Sequence, residues 1–158
     1  MFILELCQVL QTVKVPFCLV GGYAVALHGA VRGTIDIDIS IAFQQDVFEK
    51  VEMALKSLGL EPRLPVRAKD VFQFREEYLR ERNLIAWGFI DPKNPLRQVD
   101  VILTHSVAEL NPQTIKLKNT RIPIASLEGL ISMKEKSARP QDREDVLSLK
   151  AILKARKS

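Results

Sequence analysis

Residues 34–41 read Thr-Ile-Asp-Ile-Asp-Ile-Ser-Ile, with an isoleucine at every second position. Such strict alternation of apolar and polar residues predicts a β-strand with one buried face and one polar face. Asp36 and Asp38 therefore point to the same side of the strand. Same-face neighbours on a strand lie roughly 6.5–7 Å apart, so the two carboxylates could share one cation, or a pair of cations, above the sheet.

Strand formation alone does not account for these two aspartates. Aspartate is depleted in strands, and two carboxylates on one face repel each other unless a positive charge lies over them. An amphipathic strand whose acidic side chains merely face water is the alternative interpretation. The choice between the two depends on the flanking sequence.

The composition is that of one ordinary globular domain, because 47% of the 158 residues are hydrophobic and 27% are charged. Residues 1–6 lack the basic start of a signal peptide, and the longest weakly polar run, residues 17–31, is too short to span a bilayer. We therefore expect a cytoplasmic protein without a membrane segment. In that reducing compartment Cys7 and Cys18, which have no CxxC spacing, are expected to be buried thiols.

The net charge of the chain is weaker evidence about its binding partner than the acidic strand is. A net charge of +4 and a pI near 9.2 favour an anionic partner such as a nucleotide or RNA. The basic residues are dispersed along the sequence, so charge alone marks no single binding surface.

A second motif precedes the acidic strand. Residues 17–20, Phe-Cys-Leu-Val, predict a short buried strand that runs into Gly21 and Gly22, and residues 23–28 resume a helical pattern. This arrangement predicts a sharp turn whose open backbone N–H groups can bind an anion, although paired glycines are also common as turn geometry alone. A short link, residues 29–34, leads to the acidic strand, and a compact domain usually places such consecutive elements side by side.

A third carboxylate interrupts a later apolar run. Residues 98–103 read Gln-Val-Asp-Val-Ile-Leu and predict a strand with Asp100 inside it. A buried carboxylate costs several kcal/mol unless it is paired, hydrogen-bonded or bound to a metal. Because Asp36 and Asp38 lie on a strand expected nearby, a shared metal is the economical explanation.

Two basic residues are further candidates for an anion site. Arg32, just before the acidic strand, could add a charge-assisted contact to phosphate or could be a solvated loop arginine. Lys134 occupies a core-facing position of a predicted helix, where it would either extend its amine to water or reach the phosphate site.

The remaining sequence predicts alternating helices and strands. Helices are expected over residues 2–12, over 46–58 with a capping pair of Asp46 and Glu49, over 70–82 with an interruption at Phe72, after a Ser126 cap, and from Pro140 onward. Strands are expected over residues 84–90 and 98–103 around a turn at 91–95, and in a hairpin of 115–117 with 122–124. Residues 60–69 are expected to form a loop or a ragged edge strand.

Taken together, these motifs resemble a known family. The order Gly21-Gly22, then Arg32-x-Thr34-x-Asp36-x-Asp38, then a strand carrying Asp100, is similar to the nucleotidyltransferase superfamily of the DNA polymerase β type. It most resembles small prokaryotic members related to the antitoxin-system (AbiEii-like) nucleotidyltransferases. The closing segment, Met133-Lys134, Ala138-Arg139, Asp142 and Asp145, is similar to the helical tail of that group, so the resemblance spans residues 15 to 155.

The resemblance implies an α/β (α+β) fold in a single nucleotidyltransferase-like domain, residues 1–158. A mixed β-sheet of about four to five strands flanked by helices would form the core over residues 15–125, and C-terminal helices would follow over 126–156. It further implies a metal-binding and catalytic triad of Asp36, Asp38 and Asp100. The expected nucleotide contacts are Gly21, Gly22, Arg32, Thr34 and Lys134. Many members carry a serine after the first glycine; Gly22 stands there in this chain, so backbone donors would hold the phosphate.

The function implied is transfer of a nucleoside monophosphate from an NTP to a hydroxyl acceptor, with release of pyrophosphate. Three carboxylates suit two Mg²⁺ ions about 3.5–4 Å apart that clamp the attacking and leaving oxygens. Asp36 and Asp38 would bind the metal of the nucleotide, and Asp100 would orient or deprotonate the acceptor hydroxyl.

Two other functions remain as alternatives. The first is a non-catalytic interaction protein of this fold, an antitoxin or adaptor whose partner would belong to a toxin–antitoxin pair. The second is a metal-dependent hydrolase, which is disfavoured because no histidine stands at a ligand-like spacing from the aspartates. RNA 3′ ends, protein hydroxyls and small molecules all offer the required nucleophile, so the residues alone leave the acceptor open.

Overall fold

A mixed β-sheet organises the computed structural model, which describes residues 1–30, 33, 35–137 and 139–157. In this described part of the chain the strands are β1 Phe17–Val20, β2 Ile37–Ile41, β3 Glu61–Pro62, β4 Ala86–Asp91, β5 Asn94–Ile102, β6 Gln113–Leu117 and β7 Thr120–Ile124. Their order along the sheet is β3-β4-β5-β2-β1-β7-β6. The α/β class and the single mixed sheet confirm the sequence prediction, but the sheet has seven strands rather than four to five.

Helices separate most of the consecutive strands along the described chain. Their bounds are α1 Phe2–Thr12, α2 Gly21–Leu27, α3 Gln45–Ser57, α4 Ala68–Gln73, α5 Arg75–Glu81, α6 Leu127–Glu135 and α7 Pro140–Lys157, with a short 3₁₀ helix over Val107–Leu110. None of the helices in the described residues is both long enough and apolar enough to cross a membrane.

One face of the sheet carries the main hydrophobic core. Ile37, Ile39 and Ile41 of β2 are at most 1% exposed, as the alternation predicted. Phe48 of α3 packs on the same side, with its ring centroid 5.9 Å from that of Trp87 on β4. Burial of this apolar layer determines which face of the sheet each remaining strand side chain points to, because successive side chains on a strand point to opposite faces.

Strand β2 is shorter than predicted, since it begins at Ile37 instead of Thr34. Pairing with β1 reaches only as far as Val20 opposite Asp38, because the chain turns into α2 at the next residue. Without a partner on that side, Ile35 leaves the sheet and is 57% exposed.

Other boundaries differ from the prediction for local reasons. The helix expected over 70–82 is divided into α4 and α5 at Phe74, and Phe72 packs edge-on against Phe48 in the core. The predicted capping box at Asp46 is wrong, because α3 begins at Gln45 without a side-chain cap. By contrast, residues 60–69 do contain a short edge strand, and the hairpin of β6 with β7 is confirmed.

The two cysteines are confirmed as buried thiols. Cys7 and Cys18 are fully buried and not joined in a disulfide. Burial raises the pKa of each thiol to about 12, so both remain protonated at neutral pH.

Helix α7 is anchored at its far end by a histidine. Nε2 of His28 lies 2.8 Å from the carbonyl oxygen of Ala125, and Nδ1 lies 3.3 Å from the guanidinium of Arg156. Because the arginine can only donate, the neutral ring with its proton on Nε2 satisfies both contacts. Burial lowers the pKa of His28, which keeps the ring neutral and holds α7 against α2.

The start of α6 depends on close packing against the 3₁₀ helix. Ser126 is its N-cap, as predicted, and its Oγ accepts a hydrogen bond of 3.0 Å from the backbone of Gly129. Both the backbone N–H and the hydroxyl of Ser126 donate to the carbonyl oxygen of Leu110, each at 3.1 Å. A Cβ atom on Gly129 would lie 2.4 Å from that same oxygen.

We therefore expect Gly129→Ala to destabilise the fold. Overpacking against a backbone atom costs about 1–3 kcal/mol, which outweighs the roughly 0.5–1 kcal/mol that alanine gains over glycine in a helix. Urea unfolding measures the loss. Ser132→Ala, on an exposed position of the same helix, should change the free energy of unfolding by no more than about 0.5 kcal/mol. A Gly129→Ala protein as stable as the wild type would contradict this packing.

Candidate functional site

Two of the predicted carboxylates face each other across neighbouring strands. β2 and β5 are parallel, and their register places Asp38 directly opposite Asp100. The negative charge of Asp100 contributes to raising the pKa of Asp38. Both project from the face opposite the isoleucine core, so the structure brings them together at one point of the sheet.

Asp36 lies close enough to Asp38 and Asp100 to influence the ionisation of both carboxyl groups. It is in the bend immediately before β2 and is partly buried. Its negative charge contributes to raising the pKa of Asp38 and the pKa of Asp100. The three aspartates therefore form one electrostatic cluster, defined here as the carboxylate cluster.

Crowding of these groups changes their protonation. Burial, followed by the charges of Asp100 and Asp36, raises the pKa of Asp38 to about 7. Burial and the charge of Asp36 also raise the pKa of Asp100. Like charges at short range disfavour ionisation, and a cation bound between the carboxylates would reverse the effect.

The glycine turn lies against the same cluster. Val20 pairs with Asp38 at the end of β1, and Gly21 then opens α2 with φ +65°. A Cβ atom on Gly21 would lie 2.0 Å from Oδ2 of Asp38, so only glycine admits the carboxylate at this position. Gly22, also predicted, is buried in the first turn of α2.

The chemistry of this cluster fits a hard divalent cation. Carboxylate oxygens are the ligands that Mg²⁺ prefers. The space beside Gly21 that the Asp38 carboxylate occupies would be filled by the Cβ atom of any other residue at position 21. Across the described ranges, no three His, Cys, Asp or Glu side chains are already arranged closely enough to hold a metal ion. Arg32 and Thr34, the other predicted contacts beside the turn, lie outside the described residues.

A cleft of about 540 Å³ opens beside the cluster, between the sheet and the junction of α6 with α7. Its lining is in part apolar, with Ile85, Ile102 and Met133. Charged side chains in the lining are Lys134, Lys136, Arg139 and Asp142. Gly21 and Asp38 also line the cleft, so it joins the predicted anion site to the carboxylate cluster.

Lys134 does not extend to water, which was one of the two predicted outcomes. Its side chain is buried, and Nζ lies 3.1 Å from Oδ1 of Asp142 and 2.9 Å from Oδ2 of Asp145. Burial alone would raise the pKa of Asp142, but hydrogen bonds from Ser137, Arg139 and Lys134 lower it to about 2. The lysine thus ties α6 to α7 while also lining the cleft.

The sequence did not identify Asp142 and Asp145 as partners of this lysine. Their place near the start of a helix is equally typical of solvated residues that interact with the helix dipole. The available signal was their spacing of three residues, which puts both carboxylates on the same face of α7.

Arg63 is a site residue that sequence reasoning missed entirely. It follows β3 and crosses the sheet over Gly88, where a Cβ atom would lie 3.0 Å from Cδ of Arg63 and 3.0 Å from Oδ1 of Asp100. The guanidinium donates to Oε1 of Gln98, and its charge counters the raised pKa of Asp100. A glycine inside a strand is the only local signal of such a close approach.

Comparisons with known proteins bear on the family and the fold of this chain. A family model described as aminoglycoside-2''-adenylyltransferase matches residues 2–149. Among curated proteins no sequence matches the chain significantly.

Several solved structures share the fold at low sequence identity. The solution structure of the antibiotic-resistance factor ANT(2'')-Ia has a TM-score of 0.65 at 13% identity, covering 99% of this chain and 84% of that chain. Its crystal structure in complex with adenylyl-2''-tobramycin gives 0.62 at 13% identity, with 98% and 89% covered. Lincomycin-bound LnuA, a lincosamide antibiotic adenylyltransferase, gives 0.61 at 18% identity, with 96% of each chain covered. An antigenic nucleotidyltransferase-like protein from Paracoccidioides brasiliensis gives 0.58 at 14% identity, with 93% and 73% covered.

We expect the stability of the metal-free protein to fall as the pH rises from about 4 to about 7. An acid with a raised pKa binds more protons in the folded than in the unfolded state, so its ionisation costs stability over that range. Asp38 should cause much of this loss, up to about 4 kcal/mol for a shift from 3.8 to about 7.

Chemical unfolding across this pH range measures the effect in three proteins. Asp38→Asn should have a shallower dependence than the wild type, because the amide carries no charge. Asp46→Asn, on an exposed position of α3, should keep the wild-type dependence. Equal slopes for wild type and Asp38→Asn would contradict the crowding described here.

A second prediction concerns the buried lysine. Lys134→Gln should lower the free energy of unfolding by about 3–5 kcal/mol, because it removes the ammonium from two buried carboxylates. Lys150→Gln is a matched control, since it breaks an exposed contact of 3.0 Å with Glu135 between the same two helices and should cost less than about 1 kcal/mol. Equal effects in urea unfolding would argue against a buried ion pair at Lys134.

Proposed function

Because this chain belongs to the aminoglycoside-2''-adenylyltransferase family, we propose that it transfers a nucleoside monophosphate from an NTP to a hydroxyl acceptor and releases pyrophosphate. The observation that carries the proposal is the contact between Asp38 and the Gly21 turn, with Asp100 directly opposite. An NTP phosphate, its cation and an acceptor hydroxyl can meet at this one point.

The cleft beside the carboxylate cluster supplies the donor site. The triphosphate would lie against the backbone of the Gly21 turn, with Lys136 and Arg139 in the lining of the same cleft. Lys134 uses two of its three N–H donors on Asp142 and Asp145, so one donor remains for a phosphate oxygen. The apolar lining residues, which include Ile102 and Met133, suit the flat surface of a base.

Asp36, Asp38 and Asp100 would hold the cation, which we take to be Mg²⁺ in one or two copies. The chemistry that it supplies when bound is stabilisation of charge on the attacking and leaving oxygens. Asp100 would also orient the acceptor hydroxyl and accept its proton, since it lies on the side of the cluster away from the glycine turn.

Similar proteins favour a small molecule as acceptor. One is described with lincomycin and another with adenylyl-2''-tobramycin. A hydroxylated small molecule is therefore our proposed acceptor class, in preference to RNA or a protein hydroxyl. The antitoxin-type relation, and a partner from a toxin–antitoxin pair, stay predictions from the sequence. A protein of that kind would have no need for three clustered carboxylates beside a nucleotide-sized cleft.

Substitution of the cluster tests the catalytic assignment. Asp38→Asn and Asp36→Asn should each reduce Mg²⁺-dependent transfer of label from an NTP by at least about 100-fold, because each removes a charged ligand of the cation. Asp46→Asn, exposed and outside the cleft, should retain wild-type activity.

The assay follows release of pyrophosphate and labelling of a panel of hydroxylated antibiotics, and circular dichroism checks that each variant is folded. Wild-type activity in folded Asp38→Asn would exclude the proposed role of the cluster. Failure of the wild type to bind any NTP with Mg²⁺ in calorimetry would exclude the proposed function.

A further inference from the structure

The three aspartates of the carboxylate cluster need positive charge beside them. The charge of Asp36 contributes to raising the pKa of both Asp38 and Asp100, so the cluster is under like-charge repulsion. Either a divalent cation or a basic side chain can offset this repulsion. A basic side chain that does so also affects how strongly the cluster binds a cation, and this step rests on the proposed function, which places a cation there.

Three basic side chains in the described part of the chain act on Asp38 or Asp100. The charges of Lys134 and Arg139 oppose the raised pKa of Asp38, and the charge of Arg63 opposes the raised pKa of Asp100. Lys134 and Arg139 are already paired with carboxylates of α7. Their charge is therefore shared with anions outside the cluster.

Arg63 differs because its side-chain hydrogen-bond partner is neutral. The guanidinium donates to Oε1 of Gln98, and Nε2 of the same amide donates to the carbonyl oxygen of Pro95 at 2.6 Å. The backbone N–H of Arg63 donates to the carbonyl oxygen of Gly88 at 2.9 Å. A Cβ atom on Gly88 would lie 3.0 Å from Cδ of Arg63 and 3.0 Å from Oδ1 of Asp100. The protein itself thus holds the positive charge of Arg63 beside Asp100.

A fixed positive charge beside the cluster opposes the binding of a cation to it. By Coulomb's law the repulsion is twice as large for a divalent ion as for a monovalent one, and burial strengthens it. Asp38 and Asp100 are both partly buried. An NTP brings negative phosphates to the same place, and these offset the repulsion. The nucleotide-free protein should therefore bind a divalent cation weakly.

From this arrangement we infer that Arg63 is a resident counter-charge of the carboxylate cluster, which weakens the binding of a divalent cation and so makes cation loading depend on the NTP. Arg63 is not a ligand of the cation, because a guanidinium has only N–H donors. It acts through its electrostatic effect on the carboxylates that are the ligands.

Manganese binding to the nucleotide-free protein tests the role of Arg63. Mn²⁺ binds the same oxygen ligands as Mg²⁺, and the electron paramagnetic resonance signal of the free ion measures how much is bound. The dissociation constant is compared between the wild type and three variants. Arg63→Gln and Arg63→Met remove the charge, and the methionine keeps an unbranched chain over Gly88. Arg63→Lys keeps the charge.

Two further proteins serve as controls. Arg121→Gln removes an exposed arginine on β7, on the other side of β1 from the cluster. The double variant Asp38→Asn with Arg63→Gln shows whether the ion that is measured lies at the cluster. Circular dichroism checks that each variant is folded.

Arg63→Gln and Arg63→Met should each bind Mn²⁺ roughly 10-fold more tightly than the wild type, because a unit charge near the ion is removed. Arg63→Lys should stay within about 3-fold of the wild type, since the ammonium carries the same charge. Arg121→Gln should bind like the wild type, and adding Asp38→Asn should abolish the gain of Arg63→Gln. Mg²⁺ should also raise the melting temperature of Arg63→Gln more than that of the wild type.

Three results would overturn the inference. They are equal Mn²⁺ affinities in Arg63→Gln and Arg121→Gln, weaker binding in Arg63→Gln than in the wild type, and a gain in Arg63→Lys as large as that in Arg63→Gln. The second result would mean that Arg63 holds Asp100 in place as a ligand, and the third that its charge has no role. Binding of NTP with Mg²⁺ to the wild type is measured separately. If it is normal, each of these results concerns Arg63 alone, whereas its absence would exclude the proposed function.

Discussion

The site depends on one constraint, the parallel pairing of β2 with β5. That pairing places Asp38 opposite Asp100 on one face and packs Ile37, Ile39, Val99 and Val101 on the other. Burial of each such side chain contributes about 1.5–3 kcal/mol. Their sum exceeds the few kcal/mol that crowding of carboxylates costs, so the apolar face can hold the acidic face in an arrangement that the acids alone would not adopt.

Two glycines next to this strand pair allow charged side chains to lie close to the backbone. Gly21 admits the carboxylate of Asp38 against the backbone of the turn, and Gly88 admits Arg63 against Asp100. A Cβ atom at either position would force the neighbouring charged side chain away from the backbone. The cluster is therefore bordered by backbone on the side of β1 and by a cation on the side of β4, which gives its two sides different chemistry.

The helical part of the chain contributes a wall rather than a separate unit. Lys134, which lines the cleft, joins Asp142 and Asp145, and Arg156 fixes the far end of α7 to His28. A buried charge that is satisfied on both sides costs little, whereas the same charge without partners would cost several kcal/mol. This network explains why a lysine stands at a core-facing position and still lines a polar cleft.

Local sequence determined the elements and their faces. The alternation in residues 37–41, the glycine turn after residue 20 and the Ser126 cap all rely on interactions within a few residues, so their patterns could be read directly. Tertiary structure decided which side chains meet. The start of β2, the partners of Lys134 and the approach of Arg63 to Asp100 depend on register and packing between segments far apart in the chain. Periodicity records which side of an element is buried, but it carries no information about the element that covers it.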